Sequence, residues 1–246
     1  PQRERRVIAT APLPPGTAPL QGIAESYARK RGIPPAHASL FGLSSVLGDG
    51  SGSIADRMLT GRLLIPAFLD GRVVYWQARA TDDSEIKTLN LPSPDRLEHW
   101  GLPPIPDIAT KREILVGLHT VERGKTAILV EGSVDAVVGG PRFVSPLGAG
   151  LSSEQAALLA TRQPSDVVIL FDPDEAGRKG ATRARSRLSP YLPVSIAECP
   201  AGTDPADLGR ERCLDIVAEY TGKQIPPLGR RRRTTTRFGL RRLKPL

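Results

Sequence analysis

The 246-residue sequence is poor in the usual metal-binding and cross-linking side chains, with two cysteines, Cys199 and Cys213, and three scattered histidines, His37, His99 and His119. No usual spacing draws four zinc ligands from that set, and a disulfide-stapled secreted domain is equally excluded. No apolar run approaches the ~18 residues of a membrane-spanning helix. The first residues, PQRERRVIATAPLPPGTAP, hold no apolar core of a signal peptide. They also lack an initiating Met, so a processed chain or a piece of a longer one is expected. Glycine and proline are plentiful, at 24 each, but follow no triplet period, so a collagen-like fibre is ruled out and many turns are expected. These features predict a soluble, cytoplasmic protein of α/β class, with no membrane partner.

The charge is unevenly placed. The formal net charge is +8, yet residues 223–246 hold nine cations and no acid: Lys223, Arg230, Arg231, Arg232, Arg233, Arg237, Arg241, Arg242 and Lys244. The rest of the chain is close to neutral. A tail of this composition is expected to be disordered when free, with a polyanion as its partner, because each cation set near a phosphate releases counterions. Phe238 offers one ring for stacking on a base.

Residues 1–20 are Pro-rich and expected to be irregular. QGIAESYARKR (21–31) suits a short helix with Ile23, Ala24 and Tyr27 inward, and a second helical turn is expected over 35–41. In RLLIPAFLDGRVVYWQARA (62–80) two apolar runs flank Asp70-Gly71, a strong hairpin signal. Residues 91–110 read as loop, followed by a short helix near 111–119. Beyond Arg123-Gly124 the pattern changes. AILVEG (127–132) and DVVILFDPD (166–174) are near-continuous apolar runs ending in acids, as buried parallel strands do. RFVSPLG (142–148) and PVSIAEC (193–199) are shorter strands. Helices are expected from Ser133 to Val138, over LSSEQAALLATR (151–162) with Leu151, Ala157, Leu158 and Leu159 inward, and over EAGRKGATRARSRL (175–188). Strands and helices that alternate at this spacing build βαβ units. Asp204 and Asp207 fall in a loop after the fourth of these strands.

In open α/β sheets ligands bind at the carboxyl ends of the strands, where Glu131, Asp172 and Asp174 stand. Asp135 follows one helical turn after Glu131. Neighbouring strands lie about 4.8 Å apart, so these carboxylates would repel one another and a divalent cation would relieve them. All-oxygen ligation points to Mg²⁺ or Mn²⁺. Capping of the 175–188 helix by Asp172 or Asp174 is the simpler alternative for either acid alone.

These segments resemble a known family. Glu131-Gly132 at one strand end and Asp172-Pro-Asp174 at another look like the toprim domain. ILVEGSVDAV, FVSPLGAGLSSEQAALL, VVILFDPDEAGRKGATRA and CPAGTDPADL are similar, in order, to the catalytic core of bacterial- and phage-type DNA primases. Upstream, AESYARKRGIPPAHASLFGL, RLLIPAFLDGRVVYWQARA and KTLNLP look like that family's N-terminal subdomain, so the resemblance spans roughly residues 22–212. It implies a toprim-type parallel sheet flanked by helices (123–222), preceded by a smaller α+β primase-type subdomain (21–122). It also implies that Glu131, Asp172 and Asp174 are catalytic metal ligands, supported by Asp135 and Asp204. The family's second loop acid falls at Ala206 here, one residue before Asp207. Arg62, Arg79, Lys87 and Asn90 match positions used for template and nucleotide phosphates. Gly148 matches the glycine of a turn that Ala149 follows. The implied activity is synthesis of short RNA primers on single-stranded DNA from nucleoside triphosphates, with Mg²⁺ or Mn²⁺. A replicative helicase and a separate zinc-binding domain are the implied partners, since neither a phosphate-binding GxxxxGK[ST] loop nor a zinc site occurs in this sequence. The competing readings are a toprim nuclease that uses the same acids for cleavage, and a non-catalytic, nucleic-acid-binding remnant of a phage or plasmid primase.

Overall fold

The computed structural model describes residues 6–148 and 150–222, so the basic tail with Arg230–Arg233 and Arg237 lies outside the described residues, as does Ala149. Two sheets organise the chain. The first is an antiparallel meander of β1 (Thr17–Pro19), β2 (Ser44–Val46), β3 (Leu63–Leu69), β4 (Arg72–Arg79) and β5 (Thr88–Asn90), in that spatial order. Asp70 and Gly71 join β3 to β4 with φ of 49° and 76°, the left-handed pair that a two-residue hairpin needs. Helices α1 (Gly22–Lys30), α2 (Pro35–Leu40), α3 (Ile54–Leu59) and α4 (Leu97–Trp100) surround this sheet. Trp76 on β4 is fully buried and its indole N–H donates to Pro12 O at 2.8 Å, pinning the N-terminal segment across the sheet.

The second sheet is parallel, with spatial order β7 (Phe143–Val144), β6 (Ala127–Leu129), β8 (Val167–Phe171), β9 (Val194–Glu198). β6, β7 and β8 are wholly buried, which is why β6 and β8 read as unbroken apolar runs, whereas the edge strand β9 buries only Ala197. Helices α5 (Ser133–Gly139), α6 (Ser153–Thr161), α7 (Glu175–Leu188) and α8 (Pro205–Thr221) cover it. α5 packs on α8, and α6 packs on α7. After β6 the chain crosses to β7 on one side and then returns past β6 to β8 on the other. The point between β6 and β8 is therefore the topological switch, where the crossovers diverge and a crevice opens.

The two sheets share one continuous hydrophobic core. Polar contacts tie them as well: His37 Nδ1 lies 3.1 Å from Val138 O, and the Gln77 amide donates to Leu147 O at 3.4 Å.

Several expectations need correction. Ile23 is two-thirds exposed; Ala24 is buried as expected, Tyr27 is partly buried, and Ala28 is the further buried position. On α6 the buried positions are Gln155, Ala156 and Leu159, while Ala157 and Leu158 are only half-covered. No helix forms near 111–119. Ile114, Leu115 and Val116 are all buried in succession, Val116 bridges Ser145, and Gly117 at φ 79° ends the segment before a 3-10 turn at Leu118–Thr120. Residues 17–19 form a strand within a segment expected to be irregular, and α4 interrupts the expected 91–110 loop. Asp204 and Asp207 belong to a helix start rather than a loop: Asp204 caps α8, Pro205 occupies its first position, and Asp207 lies in its first turn.

Candidate active site at the switch point

The register of the parallel sheet decides which acids meet. Leu129 pairs with Ile169, so Glu131 and Asp172 emerge on adjacent strands one residue out of step. Phe171 pairs with Glu198, which sets Cys199 beside Asp172. The remaining acids arrive on helix starts. The Asp135 carboxylate accepts from Gly132 N at 2.9 Å at the head of α5. Asp174 accepts from Gly177 N at 2.6 Å and caps α7, and Asp204 accepts from Asp207 N at 2.7 Å. Three helix N-termini thus converge on this edge, and the positive ends of their dipoles favour anions there.

Glu131 and Asp172 differ from the other three. Glu131 Oε2 and Asp172 Oδ1 are buried and have no hydrogen-bond partner among the described residues. Burial raises the Glu131 carboxyl above its ordinary pKa, and the charges of Asp172 and Asp174 add to the rise. Asp172 is raised by burial, then by Asp204, Asp174 and Asp207. Asp135 is pushed up to about 7, first by burial and then by Asp204, against the pull of its Gly132 bond. Burial and the same acids lift the Cys199 thiol to about 11, so it stays protonated and unreactive at neutral pH.

A cation fits this arrangement. Buried acceptors without donors and carboxylates that raise one another's proton affinity are the conditions that a hard divalent ion relieves. Among the described residues, no group of three or more His, Cys, Asp or Glu side chains already closes on a single point. The acids ring the edge rather than form a finished cage. An ion with several of its own waters, as Mg²⁺ usually keeps, suits such an open edge better than one that needs a complete protein shell.

The polar positions of the antiparallel sheet are placed as follows. Asn90 on β5 accepts from the Gln77 amide at 3.0 Å, and through Gln77 it connects to Leu147 beside the acid edge. Arg79 donates to the Tyr27 hydroxyl and to Thr88 Oγ1. Lys87 is half exposed, 3.9 Å from Asp83. Arg62 is buried and spends two donors on Met58 O and Ile86 O, so its first task is to tie α3 to the segment before β5. Sequence spacing gave no reason to single out Gln77 or Lys111. Lys111 packs against Gly148, where a Cβ would meet its side chain at 3.8–3.9 Å.

Residues 128–208 match the Toprim-like family model, the segment that runs from β6 through the first turn of α8. The class that the fold and its acid-lined edge define is therefore the toprim-like one. The arrangement as a whole, antiparallel sheet included, is similar to that of solved DNA primase structures. The chain is 30% identical over 170 residues to the DNA primase of Borreliella burgdorferi, covering 65% of this chain and 30% of that protein. It is 32% identical over 170 residues to the DNA primase of Clostridium acetobutylicum, covering 63% and 26%. It spans less than a third of the length of either. The Aquifex aeolicus primase structure, with zinc-binding and RNA polymerase domains, superposes with a TM-score of 0.66 at 25% identity over 81% of this chain and 56% of that one. The primase fragment of bacteriophage T7 shares the fold, with a TM-score of 0.52 at 21% identity over 87% and 82%.

Proposed function

We propose that this chain is the catalytic core of a DNA primase, joining nucleotides into short primers on single-stranded DNA. The observation that carries this reading is the pair of unpartnered buried carboxylate oxygens of Glu131 and Asp172 at the switch point, in a chain whose relatives are primases. Glu131, Asp172 and Asp174 would hold Mg²⁺ or Mn²⁺, with Asp135 and Asp204 in support. The bound ions would supply charge neutralisation at the α-phosphate and at the leaving pyrophosphate. Glu131, at the carboxyl end of the strand beside Asp172, would accept the proton of the attacking 3′-hydroxyl. Lys87 and Arg79 would steer phosphates from the antiparallel side, with Asn90 held in position by Gln77. Arg62 would contribute only through any donor left after its two carbonyl bonds. The basic tail would add affinity for the template strand.

On this reading the toprim unit covers 123–222 and the primase-type N-terminal unit 21–122. Nucleoside triphosphates and a single-stranded template are the substrates. A replicative helicase and a zinc-binding domain are the expected partners, and the compartment is the cytoplasm. Support for the last is limited to the kind of relatives and to the lack, among the described residues, of any helix long and apolar enough to cross a membrane.

The test incubates the chain with mixed-sequence single-stranded DNA, labelled ribo- and deoxynucleotides and Mg²⁺ or Mn²⁺, beside Glu131→Gln. Short metal-dependent products that drop at least 100-fold in the variant are expected, the scale on which removal of a positioned acid–base group acts. Shortened template in place of new primers would assign the same acids to a nuclease.

A further inference from the structure

Helix α7 begins at the acid edge and runs away from it. Gly177, Gly180, Ala181, Ala184 and Leu188 lie against the sheet, and these mostly small residues let the helix sit close. Outward it shows Arg178, Lys179, Arg183, Arg185 and Arg187 among polar Thr182 and Ser186, with no large apolar side chain. Glu175 is the one acid on this face, and it pairs with Lys179. Arg178 and Arg187 each reach a backbone carbonyl, of Pro173 and Leu151. The guanidiniums of Arg183 and Arg185 have no hydrogen bond or ion pair with any described residue.

Folding gives no reason for this concentration of charge. Lys179, Arg183 and Arg187 follow one another at i, i+4, where like charges destabilise a helix. Arg185 and Arg187 suit the negative end of the helix dipole, but Arg178 and Lys179 stand near the positive end, where cations are disfavoured. A cleft of about 340 Å³ between α7 and β9 connects this face to the acids: Arg178 and Thr182 form one wall, and Asp172, Glu198 and Cys199 the other. With a rise of about 1.5 Å per residue, the cations extend from roughly 6 to 20 Å beyond the Asp174 cap.

We propose that the outward face of α7 is a phosphate track for single-stranded DNA, leading from the acid edge along the body of the protein and separate from the basic tail. This rests on the reading of that edge as a site where nucleic acid is handled. The absence of an inserting apolar residue argues against a membrane surface, and a band of exposed cations along the helix, with Arg183 on one flank and Arg185 on the other, suits a backbone of repeating phosphates.

The test is a fluorescence-anisotropy titration of a labelled mixed-sequence 20-mer against the full chain, without nucleotides or divalent metal, from 50 to 200 mM KCl. The variants are Arg183→Ala/Arg185→Ala and a charge-matched pair of exposed cations on the other half, Arg72→Ala/Arg96→Ala. Loss of two phosphate contacts lowers the slope of log K against log salt by about 1.4, since each contributes about 0.7 for a single strand. We expect that drop, with a several-fold weaker affinity and an unchanged melting temperature, in the α7 variant and not in the control. An unchanged slope overturns the track, and so does an equal drop in the control, which would reflect net charge alone. Either result leaves the Glu131→Gln test of the primase reading unaffected. A reduced slope in a chain that makes no primers would retain the track and overturn the catalytic assignment.

Discussion

Asp172 gathers in one side chain the forces that shape the acid edge. Burial and the charges of Asp204, Asp174 and Asp207 all raise its proton affinity, and its Oδ1 has no donor to offset them. Replacing it with Asn removes a repelling charge and keeps the shape. Asp172→Asn should therefore melt higher than the wild-type chain in EDTA, yet lose most of the rise in melting temperature that Mn²⁺ gives the wild type. Differential scanning fluorimetry with and without metal checks both halves of this statement, and an equal metal-dependent rise in the two proteins would remove Asp172 from the ligand set. The acids were legible in the sequence because each closes an apolar strand or opens a helix, positions that leave a mark in the order of residues. Gln77 and Lys111 left none. Their placement depends on contacts with Leu147 and Gly148, about 70 and 37 positions away along the chain, and only the folded packing reveals it. Arg62 shows the reverse: its charge was visible, but not the two carbonyls that occupy it.

Among the elements, α7 shows how closely a helix and its strand can be fitted. A Cβ at Gly177 would stand 2.2 Å from Asp172 O and 3.0 Å from its carbonyl carbon, both backbone atoms that cannot swing aside. Helix propensity favours Ala over Gly by about 1 kcal/mol, whereas overpacking of this kind costs about 1–3 kcal/mol. The clash wins. Gly177→Ala should lose stability in urea denaturation and should also blunt the Mn²⁺-dependent rise in melting temperature, because the Asp172 backbone must move. A stabilised variant would show that α7 is free to lift from β8. The long buried strands and the helices with clear caps could be read from sequence. Strands β1, β2 and β5 are three residues each, too short for a period of two to emerge. Helix α8 was hidden for another reason: Gly209, at φ 71° and ψ 172°, breaks it after the first turn and divides its apolar pattern, although Asp204-Pro205 carried a valid start signal.

At the scale of the molecule, the two sheets unfold together if the shared core dominates, because no buried layer separates them. Both tryptophans, Trp76 and Trp100, lie on the antiparallel side, while most of the long helices cover the parallel sheet. Urea midpoints from tryptophan fluorescence and from far-UV circular dichroism should therefore coincide. Separated midpoints would show that the 21–122 and 123–222 units are independently stable. The fold class was visible from the change of pattern after Gly124. The union of the halves was not, since it rests on contacts such as His37 with Val138 that no local sequence period encodes.

Arg210 lies just past the break in α8, donates to the carbonyls of Gly139 and Pro141, and stands 5.7 Å over the Phe143 ring. It clasps the tail of α5 from the same helix whose head carries Asp204, while the head of α5 carries Asp135. The two helices whose heads carry Asp135 and Asp204 are thus fastened to each other, beyond the packing of their faces, by a guanidinium that touches neither acid.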